Sequence, residues 1–281
     1  MTVADTTFVD RYGPWALVAG ASEGLGAAYA RAMAERGLNV MLLARRQSVL
    51  DEVAASIRRG TGVETRTASV DLSADDAMEK IVSASAGLEI GMLMYCAGAD
   101  SIYGPFLVSP IEVALGMVHR NCIVPMQLCH YFAGPMTTRQ RGGMVLVSSA
   151  AGLAGGPNMV AYGATKAFDM VMAESLWAEL HDQGVDILGL VLGVTDTPAL
   201  RRILAKRGVL SSVDDASAIP GAVSVEDTVV EAIANLSNGP TWFVGDVMRQ
   251  GAEHFASIGR NDAVRLLIQM SGGIMDPANK T

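Results

Sequence analysis

Short apolar runs alternate along the chain with longer stretches whose apolar residues recur at helical spacing. WALVAG (Trp15 to Gly20) predicts a buried strand, Gly24 to Arg36 a helix stopped by Gly37, and LNVMLLA (Leu38 to Ala44) a second strand with a helix running on through Arg59. Further strands are predicted at Thr65 to Leu72, Leu88 to Gly98, Gly143 to Ser149, Val185 to Gly193 and Thr241 to Gly245. Ser73 with Asp76 three residues on has the form of a capping box opening a helix. Ser109, Pro110 and Glu112 have the form of a cap, a first-turn proline and an N3 acid opening another. Strands that are apolar throughout, rather than alternating, are buried on both faces. Their alternation with helices predicts an α/β fold: a doubly wound parallel sheet of about seven strands with helices on both faces. No internal linker divides the chain, so residues 1–281 are expected to form a single domain. The stretch 198–223, bounded by Pro198 and Pro220, is long and mixed, as a lid over a binding site would be.

Composition agrees with a large core: half of the residues are hydrophobic and 18% charged, which excludes a disordered chain. The net charge of −8 leaves no basic surplus for a phosphate backbone, so a nucleic-acid partner is not expected. A mean hydropathy of +0.31 raises the question of a membrane. The longest uncharged apolar run near a strand pattern, Ile187 to Val194, falls far short of the ~20 residues of a spanning helix. The amino terminus carries acids and no apolar core of a signal peptide. Cys96, Cys122 and Cys129 form no CxxC pair, and His119, His130, His181 and His254 are scattered. These residues point to a reducing cytoplasm and to no metal site.

The candidate chemistry begins after the first strand. GASEGLG places Gly20, Gly24 and Gly26 between a strand and a helix, where a parallel sheet presents a helix N-terminus to an anion. At the end of the second strand, where an acid would accept from an adenosine ribose, stand Ala44, Arg45 and Arg46. The missing acid, with Arg45 able to pair with a 2′-phosphate, favours NADP(H) over NAD(H); Glu23, an acid beside the same place, cuts the other way. The fifth strand ends in Ser148 and Ser149, thirteen residues before Tyr162, and Lys166 follows Tyr162 at helical i, i+4 spacing. A Lys ammonium ~4 Å from a phenol, at an effective dielectric of ~20, is worth about 4 kcal/mol, or roughly three pKa units. A phenol so acidified could exchange a proton with a carbonyl oxygen, which a serine at the strand end could hold.

In these motifs the chain resembles the short-chain dehydrogenase/reductases, in their shorter branch, from Trp15 to about Gly245. The resemblance implies a Rossmann-like fold and an NAD(P)-dependent enzyme interconverting a ketone and a secondary alcohol. It implies that Tyr162 is the acid–base group, that Lys166 lowers its pKa and holds the nicotinamide ribose, that Ser149 orients the substrate oxygen, and that Asn121 supports a proton relay. Gly20, Ser22, Glu23, Gly24, Leu25 and Gly26 would form the phosphate turn, Asp71 and Leu72 the adenine contact, and Gly193, Thr195 and Thr197 the segment facing the nicotinamide amide. Ala97 and Gly98 match the strand-four motif. Cys96 stands where the family has asparagine, Leu192 where it often has proline, and Thr195 where an aliphatic residue is common.

Apolar residues of three segments would converge on the carboxyl edge of the sheet: Ile102, Tyr103, Phe106 and Leu107; Leu153, Pro157 and Met159; Leu200, Ile203 and Leu204. They point to a lipophilic substrate. Arg201, Arg202, Lys206 and Arg207 are expected to form a solvated face of the lid, against contact with an acidic substrate tail. The stripe Phe168, Val171, Met172, Leu176 and Leu180 fits either core packing or a symmetric interface, and the resemblance implies a homodimer or homotetramer. Two other readings stay open: a dinucleotide-binding regulatory or scaffold protein without turnover, and an isomerase or epimerase that retains its cofactor.

Overall fold

The computed structural model describes residues 5–99 and 103–274. Its centre is a seven-stranded parallel sheet in the order β3-β2-β1-β4-β5-β6-β9. The strands are β1 (Trp15–Ala19), β2 (Asn39–Ala44), β3 (Thr65–Ser69), β4 (Ile90–Tyr95), β5 (Gly142–Ser149), β6 (Val185–Leu192) and β9 (Thr241–Phe243). Each predicted strand is present. β1 and β4 are buried along their whole length and β5 up to its last residue, as their apolar runs require, and β3, at the edge, is half open to solvent.

Alternate strand residues feed two cores. Ala16, Val18, Val40, Leu42, Val145 and Leu188 face one side, which is covered by α2 (Gly24–Glu35), α3 (Gln47–Thr61) and α9 (Val225–Ala234). Leu17, Ala19, Met41, Leu43, Leu146 and Ile187 face the other, covered by α4 (Ala77–Ala84), α6 (Val124–Arg139) and α7 (Val160–Leu180). The strand order reverses between β1 and β4, and the loops at the carboxyl ends of these two strands part there.

Three local details depart from the sequence reading. The box at Ser73 and Asp76 does not form: Asp71 Oδ1 instead accepts from the Ser73 backbone N–H, a turn intervenes, and α4 starts only at Ala77 with no side-chain cap. Pro110, not Ser109, is the cap residue of α5 (Ile111–Val118), and no side chain bonds the helix end. The third strand stops at Ser69 rather than Leu72.

The stretch 198–223 is more ordered than a plain loop. It opens with α8 (Pro198–Lys206), whose cap Thr197 accepts from the Leu200 N–H at 3.1 Å. Its two ends are joined by a short parallel ladder, β7 (Thr195–Asp196) on β8 (Val223–Ser224). Arg201 grips Asp196 through two nitrogens at 2.6 Å each and donates to the Asp215 carbonyl, which fastens the loop onto its own base. Helices α1 (Thr6–Tyr12), α10 (Asp246–Ser257) and α11 (Arg260–Ile274) complete the described chain. No helix among the described residues is long and apolar enough to cross a membrane.

Candidate active site

The glycine turn joins β1 to α2. Gly20 has φ +86°, and a Cβ there would stand 2.9 Å from the Ala97 nitrogen, so the turn lies directly against the end of β4. A Cβ on Gly26 would fall 2.2 Å from the Gly20 carbonyl oxygen, so Gly26 lets α2 start tight against the turn. Glu23 occupies the cap position, yet its carboxylate bonds no helix N–H. The first-turn amides of α2, with the positive end of its dipole, thus lack a side-chain cap. An anionic diphosphate fits such a cradle, with Ser22, Gly24, Leu25 and Gly26 around it.

Glu23 is instead shared by two arginines. It accepts from Arg46 at 3.1 Å and from both terminal nitrogens of Arg202 on α8. Arg202 holds its carboxyl below the usual range, against the opposing effect of partial burial. The acid that weighed against a 2′-phosphate is therefore already paired. Arg45 is exposed, and its carbonyl accepts from Ser69. Of the two arginines after β2, it is Arg46 that reaches the glycine turn. Asp71 and Leu72 follow β3 on the same flank, Asp71 exposed and Leu72 buried.

Beyond β4, Ala97 and Gly98 border the turn, and Asn121 lies fully buried beneath them. It sits in a π-helical turn, His119–Ile123, an irregularity that often accompanies a functional position. Its amide donates to the Gly98 carbonyl at 3.2 Å and to Thr165 Oγ1 at 2.9 Å, and its Oδ1 accepts from Arg120. Asn121 thereby ties the β4 loop to α7, one residue from Lys166.

At the end of β5, Ser148 Oγ donates to the Lys166 carbonyl at 2.6 Å, clamping α7 to the strand. Ser149, half-buried, caps the short turn Ala150–Gly152 by accepting from Ala151 N. Tyr162 is half-buried on the first turns of α7, and Lys166, one turn on, is 3% exposed. The Lys166 Nζ donates to the Val147 carbonyl at 2.8 Å and to Asp169 Oδ2 at 2.9 Å. Lys166 is thus held by a buried counter-ion, so it does not act on a neighbouring phenol as a bare charge would. Burial pushes the Asp169 carboxyl up, opposed by the Lys166 charge.

Tyr162 lines an open cleft with Tyr103, Phe106, Ile111, Met117 and Met159. Tyr103 meets it edge to face, ring centroids 5.8 Å apart. Tyr103 has φ +31°, a costly conformation for a bulky residue, and it carries the aromatic ring over the catalytic candidate. The cleft is built by the segment after β4, by α5 and by the start of α7. Leu200, Ile203 and Leu204 of α8 are not part of its lining, nor are Leu153 and Pro157. Ile102 lies outside the described residues. Gly193, Thr195 and Thr197 close the far side after β6, where Thr197 and Pro198 stand over Gly24.

A family model described as short chain dehydrogenase matches residues 14–208. The chain belongs to the short-chain dehydrogenases. It is 30% identical over 265 residues to a 7beta-hydroxysteroid dehydrogenase of Clostridium sardiniense, covering 94% of this chain and 97% of that protein. It is 36% identical to a very-long-chain 3-oxoacyl-CoA reductase-B of Danio rerio, over 68% of this chain and 62% of that one. Among solved structures, a 7beta-hydroxysteroid dehydrogenase superposes with a TM-score of 0.83 at 29% identity, covering 92% of this chain and 98% of the other. A short-chain dehydrogenase from Sphingobium yanoikuyae in complex with NADPH gives 0.73 at 26% identity, over 87% and 93% of the two chains. The Rossmann-like fold and an oxidoreductase activity interconverting ketones and alcohols follow for this chain.

In this short-chain dehydrogenase the expected solvated face of residues 198–223 is seen at Arg202 and Lys206, both exposed. Arg201 is spent on Asp196, Arg202 on Glu23, and Arg207 lies 5.9 Å over the Tyr103 ring. Arg46 and Arg202 meet at the site in a way the sequence did not show, by sharing Glu23, and Asp169 was not singled out by sequence at all. It carried one signal, its i, i+3 spacing from Lys166. Burial pushes the thiols of Cys96 and Cys129 up to about 12 and that of Cys122 up to about 11, which leaves them as packing groups rather than nucleophiles. Among the described residues no cluster of His, Cys, Asp and Glu could hold a metal.

Proposed function

We propose that this protein is an NADP(H)-dependent carbonyl reductase or alcohol dehydrogenase acting on a lipophilic ketone or secondary alcohol. The observation that carries the reading is the placement of Tyr162: its ring lines an apolar cleft, one helical turn above a buried lysine and beside the end of β5 that bears Ser149. The dinucleotide, when bound, supplies or accepts the hydride. The chain supplies the rest. The uncapped first turn of α2 would receive the diphosphate, and Lys166 the nicotinamide ribose. Arg46, already drawn to the turn, and Arg45 would meet a 2′-phosphate. Ser149 would donate to the carbonyl oxygen, and Tyr162 would pass it the proton in reduction and take it back in oxidation. Asn121, buried between Gly98 and Thr165, would hold the backbone through which protons are replenished.

The apolar lining, with Phe106, Ile111 and Met117 around Tyr162, supports a lipophilic substrate, as do relatives named for hydroxysteroids and long-chain oxoacyl groups. Residues 198–223 act as the lid in this reading, since α8 lies over the glycine turn. The test is oxidation of NADPH and of NADH against a panel of ketones. Turnover of bulky apolar ketones with NADPH preferred is the expected result. Turnover confined to small polar sugars would sink the substrate reading. Dinucleotide binding with no net oxidation on any ketone would sink the oxidoreductase reading.

A further inference from the structure

Asp169 has no role in the reaction described so far, and its setting is costly. It lies on α7, three residues beyond Lys166, with its side chain 2% exposed. Its Oδ2 accepts from Lys166 Nζ at 2.9 Å, and its Oδ1 has no hydrogen-bond partner among the described residues. A buried ion pair gains little over apolar residues of the same volume, and an unpartnered buried oxygen adds a further penalty. Packing alone therefore gives no reason for a carboxylate at this position. Lys166, for its part, is pinned between two acceptors, the Val147 carbonyl of β5 and Asp169.

We propose that Asp169 is a positioning residue: it holds the Lys166 ammonium against β5 and, as its buried counter-ion, sets how strongly that ammonium acts on the Tyr162 phenol. The proposal rests on the reading of Tyr162 as the proton-transfer group. Physically it follows from the geometry. A cation 2.9 Å from an anion presents a dipole, whose field fades faster with distance than that of a lone charge. The phenol one turn earlier on α7 therefore faces an ion pair rather than a bare ammonium. The other titratable groups packed around the pair are the phenol of Tyr95 on β4, the thiol of Cys96 just beyond it, Cys122 in the π-helical turn and Cys129 on α6. Arg120 acts on Tyr95, whose hydroxyl donates to the Arg120 carbonyl. Burial pushes the three thiols and Tyr95 up, so at neutral pH the charges next to Lys166 reduce to Asp169. Tyr162 meets Tyr103 edge to face, and the Arg207 guanidinium lies 5.9 Å from the centroid of that ring.

The test is an ultraviolet titration of the tyrosinate band in the full chain without cofactor, with the Tyr162→Phe spectrum subtracted to isolate Tyr162. Asp169→Asn keeps the shape and removes the charge. It should lower the Tyr162 midpoint by about one pH unit or more, which is about tenfold in phenolate at a fixed pH. Asp169→Glu should restore most of the wild-type midpoint. A midpoint that stays in place or rises in Asp169→Asn overturns the proposal, and that is also what a protonated Asp169 would give. Should Asp169→Asn fail to fold, the double variant Lys166→Met, Asp169→Leu replaces the pair with apolar groups of similar volume, a change that buried pairs commonly tolerate. Its midpoint should lie within about one unit of wild type, because the pair it lacks is nearly neutral. A rise of roughly three units, the effect of a bare ammonium, overturns the proposal. These titrations need neither substrate nor turnover, so they fail or succeed independently of the ketone panel.

Discussion

Two buried aspartates sit at opposite ends of the same sheet, and they differ in how completely they are held. At the amino end, Asp186 opens β6 and accepts from Tyr12 Oη at 2.7 Å and from Arg11 Nε at 3.0 Å. This fastens α1 beneath the sheet, where Tyr12 lies against Gly91 and Gly143. At the carboxyl end, Asp169 shares one oxygen with Lys166 and leaves the other without a partner. The first site has two donors on its carboxylate and is remote from the cleft, whereas the second has one donor and a buried oxygen with none, and lies two helical turns from Tyr162. Unmet electrostatic demand is kept where charge must change during a reaction, and avoided where the chain only needs to be tied down.

The contrast is sharpest when each end is disabled at its key group. Tyr162→Phe removes one hydroxyl from a half-buried site. It should cost about 10²–10⁴-fold in kcat, the range for a general acid, while dinucleotide fluorescence quenching and the melting temperature stay close to wild type. A variant with wild-type kcat would break the assignment of chemistry to the carboxyl end. Asp186→Ala should do the reverse. It leaves the buried Tyr12 hydroxyl without an acceptor and Arg11 without its partner. Because Arg11 is 38% exposed, the loss is discounted to about 2–4 kcal/mol. For a chain of this size that lowers the melting temperature by about 5–12 °C, with kcat unchanged at a temperature where both proteins are folded. A loss of kcat without a loss of stability would reverse the comparison.

The two ends were not equally legible in the sequence. At the carboxyl end the backbone of the candidate site was legible, because it lies in local patterns: glycines spaced at a strand–helix turn, a serine at a strand end, and a tyrosine and lysine one helical turn apart; the lining of the cleft was legible only in part, since Leu200, Ile203 and Leu204 stay out of it. The strands themselves were legible because each is a single apolar run buried on both faces. The amino end was missed. Helix α1 spans only Thr6–Tyr12, too short for a periodic signal, and the link from Tyr12 to Asp186 joins residues 174 apart in the chain. The same limit hid the hold of Glu23 on Arg202, across 179 residues. Asp169 was hidden differently. An acid at i, i+3 from a lysine is ordinarily a surface pair, and only the packing of α7 against β5, β6 and α5 buries this one. At Ser73 a capping box was legible and absent, since Asp71 closes the turn first.

Alkaline pH probes the amino end more gently. Burial, and then the adjacent Asp186 carboxylate, hold the Tyr12 phenol well above its ordinary value of 10.0. A group whose pKa is raised on folding stabilises fully below its unfolded pKa and loses that contribution as pH rises through the folded value. Wild-type stability should therefore fall as pH rises above about 10. Tyr12→Phe should cost about 1 kcal/mol at neutral pH, the net value of one hydrogen bond, and should show a shallower alkaline decline in denaturant melts. Tyr29 and Tyr95, also buried and raised, keep part of that slope. An identical slope in variant and wild type would show that Tyr12 is not held neutral by this site.

The smallest effect separates burial from position. Glu23 and Arg202 form an ion pair at the carboxyl end, as Lys166 and Asp169 do, but their side chains are 31% and 47% exposed. Water screens such a pair, and ordering two long side chains offsets part of the attraction, so Arg202→Ala should cost less than about 1 kcal/mol. The cost should shrink further between low salt and about 1 M salt, where screening acts within roughly 3 Å. The Tyr162 midpoint shift in Asp169→Asn should persist at high salt, because the buried pair lies out of reach of mobile ions. If both effects faded together with salt, exposure would not be what distinguishes them, and Lys166 would have to be solvated in solution. If neither faded, α8 would hold Glu23 by packing of Thr197 and Pro198 over Gly24, with charge secondary. In that case Arg202→Lys would match wild type while Pro198→Ala loosened the turn.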